Sequence, residues 1–190
     1  KVANLGPPSS PKTGVISEAL YKFIEDFSDN KKTKYKCIEN FLKNNYPDIK
    51  SLKSGEAIID YSKDIIDESI NAVKKLNSSF LLIQGPPGAG KTYTSAKIIL
   101  SLIKDKKKVG INSNSHKAIN NLLLKIEELA AEENFKFEGF KKSSKEVDKF
   151  NGKNIRESRI ELVTKNCLIY AGTAWLFSDA RLDQKLDYVF

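Results

Sequence analysis

At 190 residues, 40% hydrophobic and with a formal net charge of +8, the chain can bury one domain core with or without an appendage, and its basic surface suits a polyanion as well as plain water. No apolar run approaches the ~18 residues of a membrane span and no signal peptide is visible, which excludes helical membrane spans and points to the cytoplasm. Cys37, Cys167 and His116 are the only cysteines and histidine; a Cys/His zinc site is all but excluded, and both thiols are expected to be buried and reduced.

Residues 1–55 read as a linker followed by a helical appendage. The first 14 residues are rich in proline and glycine and carry no apolar period, as a linker does. Ala19, Leu20, Phe23, Ile24 and Phe27 mark a short amphipathic helix, broken by Asp29-Asn30-Lys31-Lys32. A second helical stretch runs from Cys37 through Phe41 and Leu42 to Tyr46 and stops before Pro47, since the residue ahead of proline avoids helical geometry. A longer helix is predicted over residues 56–76, with Ile58, Tyr61, Ile65, Ser69, Ala72, Val73 and Leu76 on one face.

Phe80-Leu81-Leu82-Ile83 then predicts a buried strand. Gly85-Pro86-Pro87-Gly88-Ala89-Gly90-Lys91-Thr92 follows, and after it a helix with Ala96, Ile99, Leu100 and Ile103 inward. Strand, glycine loop and helix form the context of a phosphate-binding P-loop, with pattern G-x-x-x-x-G-K-[ST]. The glycines let successive backbone N–H groups turn toward a polyphosphate, and the helix adds its positive N-terminal end. Lys91 is spaced to reach the outer phosphates and Thr92 to ligate Mg²⁺, with Tyr93 beside them. Residues 85–93 are therefore the candidate nucleotide site, and Lys91 and Thr92 its chemical centre.

Asp105–Lys108 is a turn, Val109-Gly110-Ile111 a short strand, and Ser113-Asn114-Ser115-His116 its polar carboxyl-end extension. The next helix carries Ile119, Leu122, Leu123, Ile126, Leu129 and Ala130. Residues 127–165 are polar and weakly periodic; a surface excursion with one or two short helices is expected. Leu168–Ala171 is a third strand and Leu186–Phe190 a fourth. The chain contains no methionine and stops within that apolar run, so it reads as a piece of a longer protein.

Strands alternating with helices predict an α/β fold, a parallel sheet covered by helices. Ligands of such sheets lie at the carboxyl ends of the strands, which sets the P-loop, Ser113–His116 and Gly172-Thr173 along one rim. Short polar residues there suit phosphate contacts, although Ser113 or Ser115 could equally cap the following helix. Trp175 and Phe177 could stack on bases or pack in the core. A small P-loop kinase with Arg156 and Arg159 on a lid over the phosphates, and a nucleotide-gated interaction module, are the alternative readings.

The stretch from Gln84 to Thr92 resembles the first motif of superfamily-one helicases, in the branch that includes the nonsense-mediated-decay helicase, with Ala89 where threonine is usual. Asn112 to Leu122 is similar to the motif after that family's second strand, with Asn114 and His116 replacing a proline and an asparagine. Gly172-Thr173-Ala174 matches its small-residue and threonine motif. The wording around Ser115–Leu123, Gly172–Phe177 and Leu186–Phe190 is similar to bacterial proteins that fuse a RecB-like nuclease to such a helicase. The resemblance covers residues 56–190 and implies the N-terminal part of a RecA-like motor domain, truncated before the Walker B acidic pair. It implies ATP and Mg²⁺ as cofactors. It also implies Ser113, Asn114, Ser115, His116 and Thr173 as contacts to single-stranded nucleic acid, DNA rather than RNA. The Walker B segment, a second RecA-like domain and a nuclease domain are the expected remainder of the polypeptide, and without them hydrolysis should be poor.

Overall fold

Among the described residues five strands, all parallel, form one sheet in the order β3-β2-β4-β1-β5. They are β1 (Val109–Asn112), β2 (Glu138–Lys141), β3 (Ile155–Glu157), β4 (Cys167–Gly172) and β5 (Tyr188–Val189). The helices are α1 (Gly14–Asp29), α2 (Lys36–Leu42), α3 (Ile65–Lys74), α4 (Lys91–Lys104), α5 (His116–Glu132) and the one-turn α6 (Ala174–Phe177). The computed structural model describes residues 13–29, 33–143 and 145–190; the linker expected over residues 1–14 lies almost wholly outside them.

The α/β expectation holds, and the core explains why. On one face of the sheet, α3, α4 and α5 bury Val73, Ala96, Ile99, Ile103, Ile119, Leu123, Ile126 and Ala130 against Val109, Ile111, Ile169 and Ala171. The helical periods of α4 and α5 point their apolar stripes at a central strand, β4, that is buried along all six residues. The other face carries a smaller cluster of Phe140, Cys167, Tyr170, Leu176 and Leu182, with Phe177 and Leu186 packed on it. Helix α1 reaches this side, where Lys22 Nζ pairs with Asp183 at 2.5 Å and Tyr35 donates its hydroxyl to the same carboxylate.

Four expectations are corrected. The helix expected over residues 56–76 begins only at Ile65, because local side chains capture the backbone first. Asp60 accepts from Ser62 N and Oγ, and Asp64 caps α3 by accepting from Ile66 N and Asp67 N. The segment Phe80–Ile83 is not a strand. Phe80 packs edge-on against Phe41 of α2, 5.4 Å between ring centroids, while Ser79 receives the Asp48 N–H and the Cys37 thiol. The start of the segment is thereby held to α2, and Leu81 and Ile83 line one cavity of about 1000 Å³ together with Tyr188 and Val189 of β5 and Phe190 beyond it.

The polar excursion over residues 127–165 carries two short 3-10 turns, Glu146–Asp148 and Ile160–Leu162, but it is not only surface: it also contributes two strands of the sheet. Gly139 makes that possible: a Cβ there would stand 2.9 Å from Ile155 Cγ1, so only glycine lets β2 and β3 lie this close. Of the two thiols, Cys167 is buried as expected, with burial pushing its pKa up to about 11, but Cys37 is exposed.

Candidate nucleotide and nucleic-acid site

Helix α4 is 14 residues long and leads through a four-residue turn into β1. At 1.5 Å per residue it spans about 21 Å, so its first turn lies at the carboxyl end of β1. Ser95, in the second turn of α4, lines a cavity together with Asn112, the last residue of β1. The topology brings the P-loop to the rim that the sequence places it on.

Within the loop, Gly88 and Gly90 adopt left-handed φ values of 81° and 79°, a region closed to most side chains. A Cβ at either would meet nothing within 4 Å; the requirement is conformational. Gly90 is the N-cap of α4 and offers no side-chain cap, and no acidic residue stands in the first turn. Those first N–H groups are therefore aimed outward at solvent with the positive end of the helix behind them, an arrangement that attracts an anion. Lys91 folds back over the loop, donating from Nζ to Gly85 O at 2.6 Å and Pro86 O at 2.8 Å. Both acceptors are neutral, so a polyphosphate can replace them with charge-assisted bonds. Thr92 is exposed beside it and can give one hard oxygen to a Mg²⁺ whose other ligands are phosphate oxygens and water. Tyr93 is also exposed, and Lys97 Nζ lies 5.8 Å from its ring centroid. Pro86, Pro87 and Ala89 complete the loop, with Ala89 N donating to Pro86 O.

The second group of candidates sits on the same rim. Parallel register places Asn112 opposite Gly172 and Ile111 opposite Ala171, which sets Ser113–His116 beside Thr173. Ser115 caps α5, accepting from Ala118 N, and Ser113 Oγ accepts from Ser115 N. Of the two serines weighed as caps, Ser115 takes the role. Asn114 is exposed. His116 opens α5 with Nδ1 buried and without a recorded partner among the described residues. Thr173 precedes α6 and makes no side-chain cap. Gly172 is needed for a close approach, since a Cβ there would stand 2.8 Å from Leu176 Cδ2. Phe177 packs into the second core cluster, whereas Trp175 is exposed. Arg156 lies within β3 and Arg159 just beyond it, on the far edge of the sheet from β5.

A buried lysine is the residue that sequence reasoning missed. Lys141 ends β2 fully enclosed, and its ammonium donates to the Asp148 carbonyl. Burial pushes its pKa below the ordinary lysine range, against the opposing pull of Glu157 and Asp148. In a sequence with 32 basic residues, nothing local distinguishes this one.

A family model described as an AAA domain matches residues 60–159. The chain belongs to that family. As an AAA domain it is also similar to "DNA replication ATP-dependent helicase/nuclease dna2" of Schizosaccharomyces pombe, at 39% identity over 74 residues, 37% of this chain and 5% of that protein. It is 30% identical to "ATP-dependent helicase NAM7" of Saccharomyces cerevisiae over 152 residues, 68% of this chain and 15% of the relative. The DNA2 protein of S. cerevisiae, with the same descriptive name, is 38% identical over 64 residues, 34% of this chain and 4% of its own length. The chain thus spans a small part of each relative. These matches bear out the resemblance to superfamily-one helicases of the nonsense-mediated-decay-helicase branch. Among the described residues no helix is long and apolar enough to cross a membrane.

Proposed function

We propose that this AAA domain is the ATP-binding part of an ATP-dependent nucleic-acid helicase. In this reading residues 85–93 hold the nucleotide, Lys91 contacts its phosphates and Thr92 ligates Mg²⁺. Ser113–His116 and Thr173 contact the backbone of a single strand, with backbone N–H groups at the strand ends as important as the side chains, given that Ser115 also serves as the cap of α5. Residues 1–55 form the appendage and 56–190 the motor segment. DNA is favoured over RNA because two of the relatives are named as DNA replication enzymes, and the same two names support a nuclease domain in the full-length protein. The cytoplasm is the proposed compartment. A second RecA-like domain and a Walker B carboxylate pair complete hydrolysis in this scheme, since phosphoryl transfer needs groups that orient water and stabilise charge.

The observation that carries the proposal is the Lys91 ammonium resting on two neutral loop carbonyls in front of an uncapped helix N-terminus. Calorimetric titration with Mg-ATP tests it. Saturable binding is expected, and absence of binding by the folded chain would refute it. Phosphate transfer from ATP to a nucleoside would favour the kinase reading instead.

A further inference from the structure

The rim continues past Thr173. Strand β2 neighbours β4, with Lys141 opposite Ala171 and Lys142 N donating to Ala171 O. At about 4.8 Å per strand, the end of β2 lies roughly 10 Å along the rim from the end of β1. Beyond it a short 3-10 turn, Glu146–Asp148, is flanked by Lys145 and Lys149.

This turn is held firmly at its base. The Lys141 ammonium and Asn120 Nδ2 both donate to the Asp148 carbonyl. Asn120 is one helical turn beyond His116 on α5, so the turn is fastened to the helix that carries the other rim motif. On the neighbouring side, Glu157 Oε1 accepts from Ser143 N at 2.5 Å and Ser143 Oγ at 2.7 Å. A buried ammonium is costly unless hydrogen-bonded, and here it fixes an otherwise exposed backbone. Above these clamps Lys145 is exposed, and no ion pair to it is recorded among the described residues. Lys149 is partly neutralised by Glu146 at 2.5 Å. Val147 is 87% exposed, more than any other large apolar side chain described.

We propose that the turn Lys145–Lys149, together with Lys142, is a further contact surface for single-stranded nucleic acid. Lys145 takes a backbone phosphate, Lys142, half-buried and within the field of Asp179, adds positive charge behind it, and Val147 lies against a base. The surface extends the track from Ser113–His116 and Thr173 toward β2, and it rests on the nucleic-acid reading given under Proposed function. An ammonium without a counter-ion gains most from a phosphate. An apolar side chain on a clamped turn adds contact area at little cost in ordering.

The test is fluorescence anisotropy of the 190-residue chain with labelled oligo-dT and oligo-rU over a salt series. Lys145→Ala is expected to weaken binding several-fold at about 50 mM salt and to lower the slope of log affinity against log salt by about one. Val147→Ser should weaken binding with the slope unchanged. Lys74→Ala removes a charge at the opposite end of the domain, beside Asp105, and should bind as the wild type does. Wild-type affinity and slope in Lys145→Ala, or an equal loss in Lys74→Ala, would overturn the proposal. If the wild-type chain binds ATP but neither oligonucleotide, the nucleic-acid reading itself fails, and that result is visible before any variant is compared.

Discussion

The Lys91 ammonium lies 2.6 Å from the carbonyl oxygen of Gly85, six residues earlier in its own loop. Lysine thus holds the loop closed on itself, and a nucleotide entering the site must take over that bond. The exchange favours the nucleotide because a charged phosphate oxygen is a stronger partner than a neutral carbonyl. Lys91→Ala is expected to lower Mg-ATP affinity by tenfold or more while leaving the thermal midpoint within a few degrees, because the side chain touches no core residue in these contacts. Titration calorimetry and a thermal melt on the same sample check both halves.

Glu127 fastens the far strand of the sheet. Its carboxylate accepts from Asn154 N and Ile155 N, each at 2.9 Å, and from Asn154 Nδ2 at 2.8 Å. Ile155 is fully buried, so its N–H has no ready route to water. Glu127→Ala should cost about 2–3 kcal/mol, read as a lower urea midpoint with the same slope. Glu127→Gln keeps acceptor capacity on one oxygen and should lose less.

Gly172 ends β4 against α6. With Leu176 Cδ2 at 2.8 Å and Leu176 Cβ at 3.0 Å from the position a Cβ would take, Gly172→Ala forces a buried leucine to move. A loss of about 1–3 kcal/mol is expected. Since Thr173 follows directly, the displacement should also weaken oligonucleotide binding. The double variant Gly172→Ala, Leu176→Ala removes the closest contact, with Leu176 Cδ2, and leaves the one with Cβ, so anisotropy should recover in part while stability does not.

Arg181 pairs with Asp179 and Glu161, both at 2.5 Å. The hydrogen bond from Arg181 holds the Asp179 carboxyl at about 2, below the ordinary aspartate value near 3.9. A carboxyl depressed in the folded state stabilises above its unfolded value and loses that contribution as pH falls through its folded one. The thermal midpoint of Arg181→Ala should therefore lie below that of the wild type at pH 5, and the gap should shrink between about pH 4 and pH 2. The pair is solvent-facing, so the gap will be small and salt-sensitive. Melts at three pH values check it.

What the amino-acid order determined by itself was local. The spacing of Ile99, Leu100 and Ile103, and of Ile119, Leu123 and Ile126, marks α4 and α5, because a 3.6-residue period leaves one face to bury whatever it is buried against. The loop from Gly85 to Thr92 is legible for a similar reason: the freedom to take the positive φ that Gly88 and Gly90 adopt belongs to glycine before any tertiary contact forms. The rim could be inferred from the alternation of strands and helices alone.

Tertiary structure decided the rest. Phe80–Ile83 has the composition of a buried strand, yet Phe41 and the hydrogen bonds to Ser79 hold its start against α2. Residues 138–141 and 155–157 read as polar surface, yet they join the sheet because β4 offers a free edge and Gly139 lets the strands approach. Lys141 is one lysine among many until β2 pairs with β4 and β3, which encloses its side chain and leaves the Asp148 carbonyl as a partner for its charge. Strand pairing and charge burial depend on residues distant in the chain, and a local pattern carries no record of which edge or which carbonyl will be there.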